Sequence, residues 1–374
     1  MSPRRAAGYS AGTGGCPSDG LRWPLEDRDD EGALFGGYWT ERHIGQGAYE
    51  GLEFLHVNAK SIINTVPAAS RMPFRYTINP YRGCSHACTY CFARPTHEYL
   101  GLGIGEDFER RIVVKVNAVE RARAELFSSR WQGDLIAMGT NTDPYQHAEG
   151  KYHLTKGIIG VLAERRNPFS ILTKSTLVLR DLALLAEAAR FTQVRVNLSV
   201  GTIDPDVWRL TEPGTPPPLK RLDAVRRLNE AGVPCGVLIA PVLPGISDSD
   251  EQVAAVAEAC RHAGAISAHV LALHLRPGVR EHYLSWLSAA RPGLVGLYAE
   301  RFRRGAYQSR REQERLAGLV APSTRTGGAA AAIMVTASTA AGEGKLDQTE
   351  SVARMEGSAQ QRRAGAPAQL ALFG

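Results

Sequence analysis

The sequence predicts an α/β protein built on parallel β-strands, and three observations lead to this prediction. About six short apolar runs alternate with segments whose apolar residues recur at helical spacing. This alternation is typical of consecutive βαβ units. The runs are apolar throughout, as expected of strands that helices cover on both sides of a sheet. Because a complete barrel has eight such units, the sequence is compatible with a partial barrel or with an open doubly wound sheet.

The elements can be assigned in chain order. The predicted strands are FRYTIN (74–79), DLIAMG (134–139), FSILT (169–173), VRVNLSV (194–200), CGVLIAPVLPG (235–245) and SAHVLALHL (267–275). The predicted helices lie at 154–166, 178–190, 218–232, 247–264 and around 280–303. Gly232 ends the third helix, and Ser247 or Asp248 is a candidate N-cap of the fourth. Because functional loops follow the carboxyl ends of parallel strands, we expect the polar segments after these strands to converge on one face.

Composition divides the 374 residues into three segments. Residues 1–45 are rich in Gly, Ser, Arg, Asp and Glu and show no apolar period, which predicts a disordered leader. Residues 316–374 are mostly Ala, Gly, Ser, Gln and Arg and predict a disordered tail. The single folded domain is therefore expected at 46–315.

Several classes of protein are excluded. The N-terminal residues lack the apolar core of a signal peptide, and no stretch is long and apolar enough to span a bilayer. The 6 cysteines are too few to staple a secreted scaffold of this length. We therefore expect a cytoplasmic protein without a membrane partner. The net charge of +6 is compatible with a nucleic-acid partner but is weak evidence alone.

Three cysteines crowd one loop after the first predicted strand. Cys84, Cys88 and Cys91 are separated by three and then two residues. Thiolates are soft ligands of iron–sulfur clusters or zinc. A structural zinc site needs four ligands, so His86 or His97 would have to complete it. Three protein ligands instead leave one metal position open, as expected of a reactive site. The remaining cysteines are isolated in the sequence: Cys16, Cys235 and Cys260.

This loop, with Tyr90 before its last cysteine and a six-fold βα series after it, resembles the radical S-adenosylmethionine (SAM) enzymes. The resemblance implies an α/β fold of the partial (β/α)6 TIM-like barrel type. It also implies a 4Fe–4S cluster on Cys84, Cys88 and Cys91, with SAM bound to the fourth iron. In that family one electron from the cluster cleaves SAM to methionine and a 5′-deoxyadenosyl radical, which abstracts hydrogen from the substrate.

The resemblance also implies which residues bind SAM. They are Tyr90, Gly139, Thr140, Asn141, Lys174 and Ser199. Tyr90 would lie near the adenine, Lys174 would pair with the SAM carboxylate, and Ser199 would contact the ribose or carboxylate. The segment at 139–141 stands where the family has Gly-Gly-Glu. This sequence has no carboxylate there, so backbone carbonyls or the side chains of Thr140 and Asn141 must bind the methionyl amine.

Four segments, INPYRGCSHACTYCFAR, GTNTDPYQ, TKSTLVLRDL and PVLPGISD, are similar to the DNA-photolyase-like branch related to spore photoproduct lyase. That lyase splits a thymine dimer in DNA with a hydrogen-donor cysteine in the loop after strand two. Here the corresponding loop, GTNTDPYQHAE, contains no cysteine, and Cys235 opens strand five at the opposite end of the barrel. Tyr145 in this loop is a candidate hydrogen relay, and packing is the alternative role.

The chain ends in Gln369-Leu370-Ala371-Leu372-Phe373-Gly374, which resembles the peptide by which bacterial repair and replication proteins bind the DNA sliding clamp. Leu370, Leu372 and Phe373 would fill an apolar groove, and Gln369 would supply a directional hydrogen bond. A short apolar end without a partner is the alternative.

Together these features predict a radical SAM enzyme acting on damaged DNA, with an external electron donor such as flavodoxin or ferredoxin. Nucleic acid is the expected partner, DNA before tRNA. The alternatives are a tRNA-modifying enzyme, a protein-activating enzyme, and a clamp-associated iron–sulfur binding module without catalysis.

Overall fold

The computed structural model describes residues 40–67, 70 and 72–320. Its strands are β1 (Thr40–Ile44), β2 (Glu53–Val57), β3 (Ile63–Thr65), β4 (Tyr76–Ile78), β5 (Tyr81–Arg82), β6 (Arg111–Lys115), β7 (Ile136–Met138), β8 (Phe169–Thr173), β9 (Val194–Ser199), β10 (Cys235–Val242) and β11 (Ala268–Ala272). Its α-helices are α1 (Glu106–Arg110), α2 (Ala118–Leu126), α3 (His147–Tyr152), α4 (Leu154–Arg165), α5 (Leu182–Ala189), α6 (Pro205–Thr211), α7 (Pro218–Glu230), α8 (Asp250–His262), α9 (Val279–Ala290), α10 (Val295–Arg301) and α11 (Arg310–Val320).

The larger sheet is a partial barrel. Its parallel strands follow the order β4-β7-β8-β9-β10-β11, and β3 pairs antiparallel with β4 at one edge. The order in space is the order in the chain, whereas a doubly wound sheet reverses direction at a switch point. Within the described residues β11 forms the other edge, so the ring is not closed. The predicted α/β fold of the partial (β/α)6 type is therefore confirmed, and each predicted strand contains one of these parallel strands.

The barrel is stabilised by strands that are buried on both faces. Ile171 of β8 lies opposite Met138 of β7 and Val196 of β9, and all three side chains are almost fully buried. Burial of each such side chain contributes about 1.5–3 kcal/mol, which explains why the apolar runs in the sequence mark these strands.

The helix ends follow local capping rules, with one correction. Gly232, with φ +78°, ends α7 as predicted. The N-cap of α8 is Ser249, and the prediction of Ser247 or Asp248 was wrong. Ser249 Oγ accepts from the Gln252 amide at 3.2 Å, and the Gln252 side chain accepts from the Ser249 amide at 3.3 Å. Only Ser249 has the glutamine three residues later that completes this capping box.

A second, four-stranded sheet in the order β1-β2-β6-β5 was not predicted. Phe54, Ile112 and Val114 of this sheet are fully buried in the same apolar cluster as the barrel strands. β1 begins at Thr40, inside the segment assigned to the leader, and α11 runs to Val320, beyond the boundary drawn at 315. Each of these two elements thus extends past one of the predicted domain bounds, 46 and 315.

No helix in the described part of the chain has the length and apolar character needed to cross a membrane. The predicted clamp-binding residues Gln369, Leu370, Leu372 and Phe373 lie outside the described residues.

Candidate functional site

The three clustered cysteines lie in the loop after β5. Cys84 and Cys88 are buried, and Cys91 is half-buried. Burial raises the pKa of Cys84, and the nearby Asp143 carboxylate and the thiols of Cys91 and Cys88 raise it further. Burial likewise raises the pKa of the other two thiols. Three thiolates this close together repel one another in a buried site, so a bound cation is needed to hold them ionised.

A buried arginine, Arg94, forms hydrogen bonds with the backbone of the cysteine loop. Arg94 is 0% exposed, and it donates from Nε and a terminal nitrogen to the Cys88 carbonyl oxygen at 3.2 and 2.8 Å. A further bond reaches the Ile104 carbonyl at 2.9 Å, and Glu109 lies 2.5 Å from the guanidinium. The guanidinium therefore fixes the backbone between two of the thiols.

The loop after β7 forms hydrogen bonds with the start of the cysteine loop. Thr142 Oγ1 donates to the Gly83 carbonyl at 2.6 Å, and Gln146 Nε2 donates to the same oxygen at 2.9 Å. The Ser85 amide in turn donates to Gln146 Oε1 at 3.1 Å. The predicted convergence of the polar segments after the first two barrel strands is thus realised by direct hydrogen bonds.

Asp143 joins three of the loops at this face. Its carboxylate accepts from Thr173 Oγ1 at 2.6 Å and from the Lys174 amide at 2.7 Å, and it lies 3.2 Å from His86 Nδ1. Burial opposes ionisation of this carboxyl, but His86 and the donors from Thr173 and Lys174 outweigh it and lower the pKa of Asp143. Asp143 therefore remains ionised and fixes the start of the segment that carries Lys174.

The zinc alternative finds no support in the histidines. His86 pairs with Asp143, and His97 Nε2 lies 3.0 Å from the Arg111 carbonyl oxygen. Cys235 and Cys260 are buried in the main core, so among the described residues only the three loop cysteines are grouped. The donor set is three soft thiolates, which fits an iron–sulfur cluster with one open iron.

Three of the predicted SAM-binding residues come together beside the cysteine loop. Lys174 Nζ donates to Ser199 Oγ at 2.6 Å and to the Ala240 carbonyl at 3.3 Å, and it lies 5.6 Å from the centroid of the Tyr90 ring. β8 and β9 place Lys174 and Ser199, because each of these residues lies at or just beyond a strand's carboxyl end, whereas Tyr90 belongs to the cysteine loop itself. The site thus presents a buried cation, a hydroxyl and an aromatic face.

A carboxylate that the sequence analysis missed completes this group. Glu212 is 3% exposed, lies 3.2 Å from Lys174 Nζ, accepts a hydrogen bond from the Tyr90 hydroxyl and pairs with the fully buried Arg221. Burial opposes ionisation, but Arg221 and Lys174 outweigh it and lower the pKa of Glu212 to about 2. The one feature of the sequence that could have pointed to Glu212 was the presence of acidic residues after the fourth predicted strand. The sequence did not show that Glu212, rather than Asp204 or Asp206, is buried.

The predicted segment at 139–141 follows β7, and its three residues are half-buried. Gly139 has φ +90°, and a Cβ there would lie 1.9 Å from the Leu172 carbonyl oxygen. Only glycine fits this close approach of two strands. Thr140 Oγ1 accepts from Asn79 Nδ2 at 3.5 Å. Asn141 lies beside it in the chain, and the structure shows neither side chain in contact with Lys174.

Tyr145 lies apart from this group. Its side chain is 1% exposed and belongs to the main core cluster. Burial raises the pKa of its hydroxyl, and the neighbouring Asp181 raises it further. The structure therefore places Tyr145 as a packed core residue and does not bring it to Tyr90 or Lys174.

Comparison with known proteins agrees with this geometry. The profile described as the radical SAM superfamily matches residues 78–257. An uncharacterized protein of Mycobacterium tuberculosis is 47% identical over 295 residues, which cover 78% of this chain and 87% of that protein. An uncharacterized protein of Methanocaldococcus jannaschii is 32% identical over 199 residues, covering 53% of this chain and 70% of that protein.

Solved structures share the fold. Spore photoproduct lyase complexed with dinucleoside spore photoproduct matches with a TM-score of 0.51 and 17% identity, over 72% of this chain and 78% of that one. A mutant of that lyase with the same dinucleoside matches with a TM-score of 0.53 and 17% identity, over 72% and 77% of the two chains. With the three-thiol loop, the partial barrel and the profile match in agreement, the chain belongs to the radical SAM superfamily, whose enzymes use a 4Fe–4S cluster and S-adenosylmethionine.

Proposed function

We propose that Cys84, Cys88 and Cys91 hold the cluster and that the enzyme uses SAM to abstract hydrogen from damaged DNA. The observation that carries the first part is the position of the three-thiol loop against the group formed by Lys174, Ser199 and Tyr90. When bound, the cluster supplies one electron that cleaves SAM to methionine and a 5′-deoxyadenosyl radical, which takes a hydrogen atom from the substrate.

The protein's own residues bind and orient SAM. The Lys174 ammonium provides the positive charge for the SAM carboxylate, and Ser199 provides a hydroxyl for the carboxylate or ribose. The Tyr90 ring provides an apolar face near the adenine, and the hydrogen bond from its hydroxyl to Glu212 fixes the ring's orientation. Gly139, Thr140 and Asn141 line the neighbouring strand end and would take the methionyl amine.

The proposed substrate is damaged DNA. Support comes from the fold likeness to spore photoproduct lyase and from the net charge of +6, which favours a polyanionic partner. The loop after β7 has no cysteine, so the hydrogen donor must differ from a thiol in that loop. Because Tyr145 is packed in the core, it serves as a relay only if that loop rearranges. The electron would come from a donor such as flavodoxin or ferredoxin.

The proposed chemistry is tested by anaerobic reconstitution with iron and sulfide, reduction with dithionite and incubation with SAM. We expect 5′-deoxyadenosine and methionine in equal amounts, and loss of both in Cys88→Ala. Cys260→Ala, a buried cysteine on α8, is the matched control and should retain activity. If no 5′-deoxyadenosine forms, or if Cys88→Ala leaves its formation unchanged, the proposal is wrong and a non-catalytic iron–sulfur module remains.

The substrate class is tested separately. The enzyme is incubated with SAM and deuterated pools of ultraviolet-damaged DNA, tRNA or peptide, and deuterium in 5′-deoxyadenosine is measured. Incorporation from damaged DNA supports the proposal. Incorporation only from tRNA or peptide would replace it with RNA modification or protein activation.

We further propose that the C-terminal peptide binds the DNA sliding clamp. Support comes from its sequence alone, with Leu370, Leu372 and Phe373 as apolar anchors and Gln369 as a hydrogen-bonding group. A peptide covering residues 364–374 should bind the clamp, and a peptide with Leu372→Ala and Phe373→Ala should not. Absence of binding at about 100 µM would contradict this proposal.

A further inference from the structure

Three aromatic rings form a row beside the cysteine loop. Phe92 directly follows Cys91 and is 49% exposed, His274 lies two residues beyond β11, and Tyr307 is 44% exposed. The centroids of Phe92 and His274 are 5.9 Å apart, and those of His274 and Tyr307 are 5.6 Å apart with planes inclined by 23°. The row therefore runs from a proposed cluster ligand to the segment between α10 and α11.

The row forms an exposed apolar surface at the end of the barrel that carries the cysteine loop. Phe92 and Tyr307, both about half exposed, flank the His274 ring, and a contiguous exposed apolar patch is typical of a binding surface. His274 serves as a neutral ring between them, because burial and the charge of Arg276 lower its pKa to about 4.

Positive charge lies at the Tyr307 end of the row. Arg276 is exposed and donates to the Tyr307 hydroxyl at 3.0 Å. The segment RFRRGAYQSRR at 301–311 contains five arginines. Arg301 pairs with Glu312 and Arg310 with Glu314, whereas Arg303 and Arg304 are exposed. Aromatic faces interleaved with cations are the recognition chemistry of single nucleic-acid strands, in which bases stack on rings and phosphates meet the cations.

We propose that Phe92, His274 and Tyr307 form a stacking platform for an unpaired base of a DNA strand, with the neighbouring arginines holding its phosphates. An acidic peptide would use the arginines but would leave the ring faces without a partner, so a nucleic acid fits the surface better. The choice of DNA over RNA rests on the proposed function. Because the platform begins one residue from Cys91, a base bound there would lie close to the proposed site of radical formation.

The test is binding of fluorescently labelled oligonucleotides to the full-length, cluster-loaded protein without SAM, followed by anisotropy. One strand carries a thymine run, and a second carries abasic sites in the same backbone. We expect the wild type to prefer the strand with bases. Tyr307→Ala should weaken binding of that strand about tenfold and leave the abasic strand unchanged, since the lost contact is stacking.

Two further variants make the test specific. Tyr307→Phe keeps the ring and should therefore retain the preference for the strand with bases. Replacement of Arg303 and Arg304 by Gln should weaken the binding of both strands and reduce the salt dependence of binding. Phe191→Ala is the matched control, because Phe191 is 55% exposed beside Arg166 and Arg190 but precedes β9, at the other end of the barrel.

The platform would be overturned if Tyr307→Ala and Phe191→Ala reduced the affinity for the thymine strand equally. It would also be overturned if Tyr307→Ala reduced the affinity for the thymine strand and for the abasic strand by the same factor. Tighter binding of RNA of the same sequence would overturn the assignment to DNA. Binding is measured without SAM, so failure to form 5′-deoxyadenosine would count against the proposed function and leave this inference standing.

Discussion

Replacement of Glu212 by Gln removes the one negative charge that the structure shows among Tyr90, Lys174 and Arg221. Arg221 is fully buried and Lys174 is mostly buried, so both cations lose a partner that water cannot replace. Loss of one partner of a buried ion pair costs about 3–5 kcal/mol. We therefore expect Glu212→Gln to lower the free energy of unfolding by roughly this amount near neutral pH.

The pKa of Glu212 leads to a similar magnitude and to a pH dependence. The lowering of the Glu212 pKa from 4.5 to about 2 corresponds to about 3.5 kcal/mol at about 1.4 kcal/mol per pH unit. Because the folded pKa lies below the unfolded one, this stabilisation is present above pH 4.5 and is lost as the pH falls toward about 2. The gap between wild type and Glu212→Gln should therefore narrow below pH 4.5.

The assay is urea unfolding of the cluster-free protein, followed by circular dichroism at about pH 7 and about pH 3. Glu164→Gln is the matched control, since Glu164 pairs with Arg123 at the surface and should contribute little. The reasoning is refuted if Glu212→Gln destabilises no more than Glu164→Gln. A gap that stays constant with pH would also refute it.

Three other substitutions test the remaining parts of the site. Lys174→Met should weaken SAM binding about tenfold or more in anaerobic equilibrium dialysis while leaving the iron content unchanged, because it removes a charged donor. Unchanged affinity would argue against its role. Gly139→Ala should destabilise the fold by about 2 kcal/mol or more in thermal unfolding, since its Cβ would collide with the Leu172 carbonyl. A melting temperature equal to that of the wild type would show that the two strands can separate at little cost. Arg94→Met should lower the iron bound on reconstitution, because the Cys88 carbonyl loses its donors. An iron content equal to that of the wild type would contradict the role of Arg94 in holding the cysteine loop.

The sequence was sufficient for the barrel strands because each is a continuous apolar run bounded by polar residues, and burial on both faces requires that pattern. It was not sufficient for the second sheet. β5 has only two residues and β6 follows α1 without a loop, so neither leaves a separate pattern. β1 lies in the segment that was assigned to the leader for its composition and its lack of an apolar period, and its own residues, TERHI, include a single apolar side chain.

The functional site, like the fold, was only partly predictable from the sequence. Cys84, Cys88 and Cys91 are close in the chain, so their spacing alone indicated a common metal. Lys174 and Ser199 were expected from the resemblance to radical SAM enzymes, which is consistent with parallel strands bringing their carboxyl ends to one face.

Glu212, Arg221 and Arg94 could not be anticipated, because each acts on groups from other parts of the fold. Burial of an ion pair depends on which segments pack above it, and nothing in the local sequence records that. The sequence by itself thus determined which segments form the barrel strands and which cysteines form the thiol loop. Only the tertiary structure decided which charges are buried together, and therefore which carboxylate holds Tyr90 and Lys174 in place.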